Sequence, residues 1–594
     1  MKKSVLLSAF LLLAACLTTV DLTAAVTPEF IKNAAEIYAI NSQTMVDVNW
    51  AGKWRFCEKL PANWQEYPAA GIDFELKNNS VDLENVSNKT YPGLSEGAVY
   101  KKFISDRDGY AIVGIGADWW FEATCNGKTF YTTFPYGNAV VPYHHTNHQF
   151  MIKVKKGENI FAVRIKRGDA QGWTFACGKV NFFLPPLPVL RTGPYLLNPS
   201  NGRMSIGFES YGNIGGGIEY RLKGSQDKWQ QAWSQKKGLI QRLDTHLVHL
   251  KNLQEGAVYE YRIMLLDPIS PEVTHYAENG KVYNFRVPSK ADKVFSFIFT
   301  ADLQFTPVQQ REMIRKLFRA ADAASCDYIV LGGDLFGEFD VRVLQDGILS
   351  EVSKLDCESK KAHPLIVVRG NHELRGHQAE RFTDMFATAD GESFGIYNIG
   401  STALLKLDSW EDKPRLSKGA LYCKYSIDDW IFNAQKEFLK ENLPLPAWKN
   451  AEKRIVLAHG APYSHRDNFK FMTYNLRDLT DEYFKGKTPQ YQLTLYLAGH
   501  VHAYMRSVPN TAKLATLAPR AVPSADGTDY NFPVLTTAGP SASQPIQSAV
   551  FRVTVKPGKL EVKTFTPEGR IIEELEISDQ GKVTAKQALA EQEP

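Results

Sequence analysis

Five short apolar runs, each followed closely by Asp, Asn or His, constrain this chain more than any other feature. Runs of this length, bounded by Gly and polar residues, predict buried strands. Ligand sites gather at the strand ends of parallel or mixed sheets, so we expect the polar residues to converge. The runs are Phe295–Phe299 before Asp302 and Gln304, Tyr328–Leu331 before Asp334, Pro364–Val368 before Asn371 and His372, Ile455–Ala458 before His459, and Leu493–Ala498 before His500 and His502.

Helical patterns separate these strands and predict an α/β domain with helices outside a central sheet. Thr306, Pro307 and Gln309 are typical of an N-cap, a first helical position and a capping box. Apolar residues then recur at helical spacing. They are Ile314, Leu317, Phe318 and Ala321, then Val341, Leu344, Ile348, Val352 and Leu355, and later Phe432, Phe438 and Leu439.

The first half of the chain alternates short apolar runs with turn residues and predicts all-β sandwich domains. At 594 residues the chain exceeds a single core. We expect one β domain over residues 26–185 and a second over 186–290, joined by a stiff linker at Pro185–Pro188. His144, His145 and His148 have no acidic or Cys pattern nearby, which favours a solvated loop over a metal site.

After His502 the pattern returns to β. We expect closing strands at Val534–Thr537, Ala549–Val555 and Leu560–Phe565, with a hairpin turn at Lys556–Lys559. The α/β domain would then span residues 291–580, and the polar residues 581–594 predict a flexible tail.

Charge and cysteine content exclude several classes of function. A net charge of +4 is small for this length and speaks against a nucleic-acid or membrane-surface binder. The cysteines after Cys16 have no CxxC zinc spacing, which favours mostly buried free thiols with at most one or two bridges. They are Cys57, Cys125, Cys177, Cys326, Cys357 and Cys423.

The N-terminus is typical of a targeting segment over residues 1–25. Lys2 and Lys3 precede the apolar run Val5–Leu13, which is too short to span a membrane. Leu13-Ala14-Ala15-Cys16 resembles a bacterial lipobox, which implies acylation of Cys16 and an exported envelope lipoprotein at the periplasm or cell surface. The alternative is cleavage after Ala25, which would release a soluble protein.

The motif order D-x-Q, GGD, GNHE, H-G-A-P and GH-x-H between Val294 and Ala503 resembles the calcineurin-like metallophosphoesterase superfamily. This resemblance implies an αββα-type catalytic domain. Residues 186–290 resemble the fibronectin-III-like domain that precedes the catalytic domain of purple acid phosphatases. Residues 26–185 resemble jelly-roll, galactose-binding-like domains, so glycan contact is a further implied partner.

The resemblance also implies a role for each motif residue. Asp302 and His502 would bind a first metal ion, Asp334 would bridge, and Asn371, His459 and His500 would bind a second. Residues two apart in an extended segment point the same way, which would let both histidines of GH-x-H face the metals.

Residues around these ligands are candidates for catalysis and substrate binding. His372 would donate a proton to the leaving group or stabilise the transition state. Arg369 matches a phosphate-binding Arg of serine/threonine phosphoprotein phosphatases, with a surface salt bridge as the alternative. Arg375, Tyr463 and His465 are candidates for substrate contact.

Two departures from the purple acid phosphatases concern the metals. Many superfamily members have His where this chain has Gln304, whose carbonyl is a weaker ligand. Purple acid phosphatases carry a Tyr at the position of Gly337, so Fe(III) is in doubt and Mn, Zn or Fe(II) become plausible.

These residues predict hydrolysis of a phosphate ester by two divalent metal ions and a metal-activated hydroxide. A phosphomonoester is favoured, and a phosphodiester is the alternative within the same site. A different class, a cell-surface glycan-binding protein with a vestigial metal site, has only Gln304 and Gly337 in its support.

The proposed bridging position gives a direct test of this assignment. Asp334→Ala removes the carboxylate shared by both metals, so we expect loss of both metal loading and turnover. Metal content and phosphoester hydrolysis of the purified variant measure the two effects. Full activity in this variant would contradict the mechanism.

Overall fold

The computed structural model describes residues 45–87, 96–135, 137–138, 142–168, 172–180, 187–266, 274–412, 427–463, 470–487, 491–511, 513–516, 529–537, 539, 550–589 and 591–592. These residues form two compact units that meet in sequence at Leu187 and Pro188. The predicted signal, Cys16 and the linker prolines Pro185 and Pro186 lie outside the described residues. The domain boundaries given above stay predictions, and residues 188–266 and 274–290 share one compact unit with the catalytic region.

The first unit is a pair of β-sheets around an aromatic core, as the alternation predicted, and all its strand pairs are antiparallel except β1 with β6. One sheet has the order β1-β6-β11-β4 with β9 beside β6, and the other has the order β3-β2-β5-β10-β7-β8. Trp54 and Phe175 belong to different sheets and their rings lie 5.1 Å apart in the core. The strands are β1 Met45–Val46, β2 Lys53–Cys57, β3 Ile72–Glu75, β4 Ser80–Asp82, β5 Glu96–Ser105, β6 Gly109–Ala117, β7 Trp120–Cys125, β8 Lys128–Thr132, β9 His148–Val154, β10 Gly157–Lys166 and β11 Thr174–Gly178, with a short helix α1 Leu83–Ser87.

The histidine cluster of this unit is held by neutral polar groups. The imidazole of His148 contacts the Tyr131 hydroxyl at 3.1 Å and the Asn138 amide oxygen. His144 lies in the exposed turn before β9 and contacts the Thr146 hydroxyl at 2.9 Å. The expected solvated loop describes His144, whereas His148 begins strand β9 and is half-buried.

The second unit begins with a β-rich region whose long strands continue into the catalytic sheet. The strand β13 pairs with β17 through its first half and with β18 through its second half, with a register shift between Glu209 and Ile214. Leu197 of β12 pairs in parallel with Leu365 of β23. The strands are β12 Leu187–Ser200, β13 Arg203–Leu222, β14 Gln230–Trp233, β15 Gln235–Lys236, β16 Leu239–Ile240, β17 Arg242–Leu250, β18 Val258–Leu266, β19 Thr274–Tyr276 and β20 Tyr283–Arg286.

The catalytic region consists of two facing sheets, one continuing from β12 and one separate. The first has the order β23-β22-β21-β31-β32-β33-β34, and the second has the order β24-β25-β26-β27-β30-β28-β29-β35. The strands are β21 Phe295–Thr300, β22 Tyr328–Leu331, β23 Leu365–Val367, β24 Gly395–Ile399, β25 Thr402–Lys406, β26 Lys453–Leu457, β27 Leu495–Ala498, β28 Met505–Ser507, β29 Leu514–Thr516, β30 Val534–Thr536, β31 Val550–Lys556, β32 Lys559–Phe565, β33 Ile571–Ser578, β34 Val583–Gln587 and β35 Glu591–Gln592.

The helices lie on the outer faces of the two sheets. Successive strand residues point to opposite faces, so Ile298 packs on the helices while Phe297 and Phe299 pack toward the other sheet. The helices are α2 Pro307–Ala320, α3 Val341–Leu344, α4 Ser350–Ser359, α5 Phe382–Phe386, α6 Asp428–Asn442, α7 Pro446–Lys449 and α8 Lys470–Tyr483, with a π-helical stretch Gln345–Leu349 and 3₁₀ turns Ala323–Ser325, His372–Leu374 and Ala379–Arg381. This layering confirms the αββα-type domain after all-β domains.

The start of α2, the β31–β32 hairpin and the C-terminal residues can each be compared with their predictions. Pro307 begins α2, as predicted, but the Thr306 hydroxyl donates to the Gln309 amide oxygen at 2.9 Å and accepts no backbone N–H of the helix. The hairpin between β31 and β32 is confirmed. The flexible tail is wrong for Val583–Gln587, because this strand pairs with β33 at the sheet edge.

Two further findings concern cysteines and membranes. The five described cysteines, Cys57, Cys125, Cys177, Cys326 and Cys357, are free thiols, and Cys423 lies outside the described residues. Three of the five are buried, in agreement with the expectation. Among the described residues, no helix has the length and apolarity that crossing a membrane requires.

The two sheets are joined by a buried ion pair that predicts a stability effect. Arg506 of β28 donates to Glu573 of β33 through Nε at 2.9 Å and Nη2 at 3.1 Å. Removing one partner of a buried pair costs about 3–5 kcal/mol, so Glu573→Ala should lower the free energy of unfolding by that order. Chemical denaturation measures the loss.

The matched control lies on the same strand. Glu576 of β33 pairs with Lys559 and Lys586 at the surface, where ion pairs contribute little. We therefore expect Glu576→Ala to unfold close to the unchanged protein. Equal destabilisation by the two substitutions would show that the buried pair does not stabilise the sheet packing.

Candidate metal centre

The five predicted strands end at one place, where both sheets direct their turns toward each other. The parallel strands β21, β22 and β23 lead to Asp302, Asp334 and Asn371, and the parallel strands β26 and β27 lead to His459 and His500. Ligand atoms of Asp334, His459 and His500 all lie within 4.8 Å of one another. The structure thus brings residues from both sheets into a single buried cluster.

The predicted ligands lie in turns with left-handed backbone. The φ angles are 56° at Asp302, 51° at Asp334, 67° at His500 and 51° at His502. Non-glycine residues adopt this region uncommonly, and such strain gathers at functional sites. Each turn places a polar side chain within a few residues of the end of a buried strand.

This backbone corrects the expectation for GH-x-H. The segment is not extended: Val501 N–H donates to the Gly499 carbonyl at 2.8 Å, which closes a tight turn. His500 reaches the Asp334 side of the cluster, and His502 Nε2 lies 3.6 Å from Asp302 Oδ1. The turn, rather than strand alternation, lets both histidines face the site.

Asp334 lies at the centre of the cluster. Its Oδ2 is 3.2 Å from His459 Nε2 and accepts a hydrogen bond from the Gln304 amide at 2.8 Å. Its Oδ1 accepts from the His372 backbone N–H at 2.9 Å. Contacts on both carboxylate oxygens fit the bridging position that the resemblance implies.

Asp302 occupies the other side of the same cluster. Its carboxylate is fully buried and accepts the His500 backbone N–H at 3.1 Å and 3.0 Å. His459 Nε2 lies 3.9 Å from Asp302 Oδ1, so this imidazole sits between the two carboxylates. The Asp302 and Asp334 side chains therefore form a concentrated negative charge away from solvent.

The electrostatics of the cluster show how strongly it attracts positive charge. Burial raises the pKa of Asp302 above its usual range. Burial works against protonation of His459, but the adjacent Asp334 and Asp302 outweigh it and raise the pKa of His459 to about 10. Burial lowers the pKa of His500 to about 3. A proton is drawn to the imidazole between the carboxylates, and a cation would be drawn there for the same reason.

Glu373 is a functional residue that the sequence analysis did not assign. Its fully buried carboxylate accepts backbone N–H groups from Gly370 at 2.7 Å, Asp334 at 2.8 Å and Leu335 at 2.8 Å. It thus ties the turn after β22 to the turn after β23. Burial and the nearby Asp334 raise the pKa of Glu373 to about 7. The sequence feature that could have pointed to Glu373 is its position as the last residue of the GNHE motif.

Other groups orient His459. Its Nδ1 contacts the Gly332 carbonyl at 2.9 Å, and a carbonyl only accepts, so Nδ1 carries the proton and Nε2 faces the carboxylates. Ser409 Oγ accepts the His459 backbone N–H at 3.0 Å and that of Gly460 at 2.8 Å. No sequence pattern pointed to Ser409, because its role depends on contact between separate strands.

Gly370 shows why the motif requires glycine. A Cβ there would lie 2.4 Å from Asp334 Oδ1 and 2.8 Å from Glu373 Oε2. These distances are shorter than any van der Waals contact, so a side chain would displace the central carboxylate. The close approach of these turns explains the glycine before Asn371.

Gln304 differs from the expectation of a carbonyl ligand. Its amide nitrogen faces Asp334 Oδ2 at 2.8 Å. A carboxylate only accepts hydrogen bonds, so the NH₂ group, not the oxygen, turns toward it. Gln304 therefore acts as a hydrogen-bond donor to Asp334 in this arrangement.

His372 and Arg375 lie together at the edge of the cluster. His372 Nδ1 contacts the Gly337 carbonyl at 2.5 Å, and Nε2 contacts Arg375 Nη1 at 2.8 Å. Because the carbonyl only accepts and the guanidinium only donates, Nδ1 carries the proton and Nε2 accepts. In this arrangement neither ring nitrogen offers a proton to a leaving group.

The remaining candidates occupy different surroundings. Arg369 forms an ion pair with the buried Asp408 carboxylate, which is the salt-bridge alternative in a buried rather than surface form. The predicted pocket role of Tyr463 is corrected: it is 1% exposed and its hydroxyl donates to the Val534 carbonyl at 3.0 Å. Its apolar ring fills the core of the second sheet. His465 lies outside the described residues.

The donor set fits a divalent metal ion. Carboxylate, imidazole and amide oxygen are the groups that Mn, Zn and Fe(II) accept in mixed sites. Asn371 Oδ1 is buried with no hydrogen-bond partner among the described residues, as expected for an oxygen placed for a cation. Asp334, Asn371, His459 and His500 could hold one ion, and Asp302, His502 and Asp334 a second.

The comparison with protein families agrees with this geometry. Residues 295–504 match the family model of the calcineurin-like phosphoesterases. This segment is a calcineurin-like phosphoesterase domain. The chain therefore carries a phosphoester hydrolase whose family depends on divalent metal ions. All seven predicted metal ligands lie in the phosphoesterase domain. No curated protein sequence matches the chain.

Several solved structures are similar to this chain at low sequence identity. A purple acid phosphatase from yellow lupin (Lupinus luteus) seeds is 14% identical, with 82% of this chain and 93% of that chain covered and a TM-score of 0.44. PhoD is 11% identical, with 69% and 94% covered and a TM-score of 0.42. GAP50, the inner membrane complex anchor of Plasmodium, is 14% identical, with 49% and 90% covered and a TM-score of 0.32.

The clamp formed by Glu373 predicts an effect on metal affinity. Glu373→Gln replaces one accepting oxygen by an NH₂ group, which would oppose the backbone N–H groups of Asp334 or Leu335. Loss of a group that orients a ligand typically costs about 10–100-fold in metal affinity, and we expect a weakening of that size. Competition titration with a chelator measures it.

Glu338 supplies the matched control for this prediction. It is exposed and lies four residues after Asp334. Glu338→Gln makes the same chemical change without touching the clamp, so metal affinity should stay the same. A Glu373→Gln protein that binds metal as tightly as this control would contradict the clamp.

Proposed function

We propose that this protein hydrolyses phosphate esters with two divalent metal ions held between the two sheets of the phosphoesterase domain. The observation that supports it most is the burial of Asp302 and Asp334 around His459, which concentrates negative charge away from solvent. Two ions sharing Asp334 would neutralise both carboxylates. Mn, Zn or Fe(II) suits this donor set.

The contacts support a set of ligands for each ion. Asp302 and His502 approach to 3.6 Å and would hold the first ion together with Asp334. Asn371, His459 and His500 would hold the second, again with Asp334. Gln304 would keep the shared carboxylate in place through its hydrogen bond, and Glu373 would fix the turn that carries it.

Divalent ions at such a site supply a nucleophile at neutral pH and neutralise charge on the phosphoryl oxygens. The protein groups then bind and orient the substrate. His372 was predicted either to protonate the leaving oxygen or to stabilise the transition state. In this arrangement its Nε2 accepts from Arg375 and carries no proton for the leaving oxygen, which favours the second role.

The class of ester has two candidates. The sequence resemblance favours a phosphomonoester. The structure gives a specific reason to keep a phosphodiester: Arg369 pairs with Asp408, and Arg375 pairs with Glu411 and Asp412. Carboxylates thus offset the charge of both arginines beside the GNHE turn. A dianionic monoester needs more positive charge than a monoanionic diester, so the diester is the second candidate.

Export and glycan contact also stay proposals. The lipobox-like Leu13–Cys16 supports an envelope lipoprotein anchored through Cys16. The N-terminal β-sandwich supports a role as a scaffold or as a glycan-binding domain. The proposed hydrolysis depends on neither export nor glycan contact.

Metal reconstitution tests the proposed function. The purified protein is stripped of metal and then given Mn, Zn or Fe(II) singly, and hydrolysis of a nitrophenyl phosphate monoester is followed beside the matching diester. We expect at least one metal to restore turnover, with two ions bound per chain at saturation. The ratio of the two rates chooses between the candidate esters.

Two results would contradict the proposal. Uptake of metal with no hydrolysis of either ester would contradict the enzyme assignment and favour the alternative of a binding protein. Saturation at one ion per chain with full turnover would reject the two-metal arrangement. Asp334→Ala serves as the negative control for contaminating phosphatase activity.

A further inference from the structure

The Arg375 side chain, assigned to substrate from sequence, is engaged by protein groups on every side that the structure describes. Its Nε and Nη2 donate to Glu411 at 3.0 Å and 2.6 Å, and Nη2 also donates to Asp412 at 2.8 Å. Its Nη1 donates to His372 Nε2 at 2.8 Å. Arg375 is 6% exposed, so its guanidinium is a buried group that hydrogen-bonds to several protein side chains and not a surface cation.

The two carboxylates fix the direction of the guanidinium. Glu411 is fully buried and Asp412 is 4% exposed. The pair of bonds to Glu411 matches the planar fork of arginine to a carboxylate, which sets orientation as well as distance. The Asp412 backbone N–H donates to Glu411 Oε1 at 2.9 Å and stiffens the acceptor. This support leaves Nη1 aimed at His372.

His372 accepts the Arg375 hydrogen bond at Nε2, and its backbone N–H and Nδ1 are also hydrogen-bonded. Its backbone N–H donates to Asp334 Oδ1 at 2.9 Å, and its Nδ1 donates to the Gly337 carbonyl at 2.5 Å. Its Nε2 lies 3.8 Å from Asp334 Oδ2, at the edge of the metal cluster. Among the described residues, Arg375 donates the one hydrogen bond to the Nε2 edge of the ring, at a shorter distance than Asp334.

We propose that Arg375 is a positioning residue for His372, held in place by Glu411 and Asp412, and not a phosphate-binding residue. The kinetic part of this inference rests on the proposed function. An arginine that binds phosphate contributes to substrate affinity and acts independently of His372. An arginine that positions His372 acts on the same catalytic step as His372. Substituting both residues should therefore lower kcat by no more than substituting His372 alone.

A double-mutant cycle separates these roles. Arg375→Lys keeps the positive charge, but one ammonium cannot contact Glu411, Asp412 and His372 in the fork geometry. We expect kcat to fall about 10–100-fold, within the usual contribution of a positioned catalytic side chain, while KM stays the same. His372→Asn should lower kcat similarly, and the double variant should be no slower than His372→Asn.

Arg506 provides the matched control. It is a buried arginine that forms the same two-bond contact with a glutamate, Glu573, but it has no part in the catalytic cluster. Arg506→Lys should lower thermal stability without changing kcat. Its effects on stability should add to those of His372→Asn. Metal content is measured for every variant, so that loss of metal is not mistaken for loss of positioning.

A second readout does not depend on activity. Nitrogen-15 NMR of labelled histidines, with His372 assigned by its loss in His372→Asn, reports which ring nitrogen carries the proton. We expect the Nδ1–H form with a hydrogen-bonded Nε2 in the unchanged protein. In Arg375→Lys the Nε2 signal should shift toward that of a free nitrogen, whereas Arg506→Lys should leave it in place.

Three results would overturn the inference. They are a raised KM with unchanged kcat in Arg375→Lys, additive losses in the double variant, and an unchanged His372 Nε2 signal in Arg375→Lys. If the unchanged protein binds metal but hydrolyses no ester, the proposed function fails, and the NMR comparison alone decides the role of Arg375.

Discussion

The whole arrangement depends on keeping two carboxylates, Asp302 and Asp334, close together and out of water. Burial of like charges is unfavourable unless hydrogen bonds and cations compensate it. The turns after β27 and β23 provide the backbone N–H donors of His500 and His372, His459 sits between the carboxylates, and Glu373 clamps the turn that carries Asp334. The metal centre is thus built into the way neighbouring strands end, and not attached to a finished fold.

Facing sheets explain why the ligands come from distant parts of the chain. The first sheet supplies Asp302, Asp334 and Asn371, and the second supplies His459, His500 and His502. Their common core packs Phe297 and Phe299 against Ile455 and Leu457, so the same burial that stabilises the sheets sets the distance between ligands. The ion pair of Arg506 with Glu573 joins the sheets a second time.

The arginines of the site show how tertiary contacts redefine a residue. Arg369 and Arg375 flank the GNHE motif, and by sequence Arg369 matched a phosphate-binding position while Arg375 was a candidate for substrate contact. Asp408 neutralises the first, while Glu411 and Asp412 hold the second against His372. Such contacts join segments about forty residues apart, which no local spacing reveals. The same holds for Ser409, and for Tyr463, whose polar tip is satisfied within the core.

By itself, the sequence determined the β-rich first half, the αββα domain, and the seven polar residues that would surround the metals. It could do so because hydrophobic periodicity and glycine turns are local properties, and because the motif order is distinctive. Only the tertiary structure decided the left-handed turn that brings His500 and His502 together, the amide of Gln304 facing Asp334, and the strand Val583–Gln587. Those outcomes depend on which groups meet across the two sheets and at the sheet edge, and hydrogen-bond partners far apart in sequence are fixed only when the chain has packed.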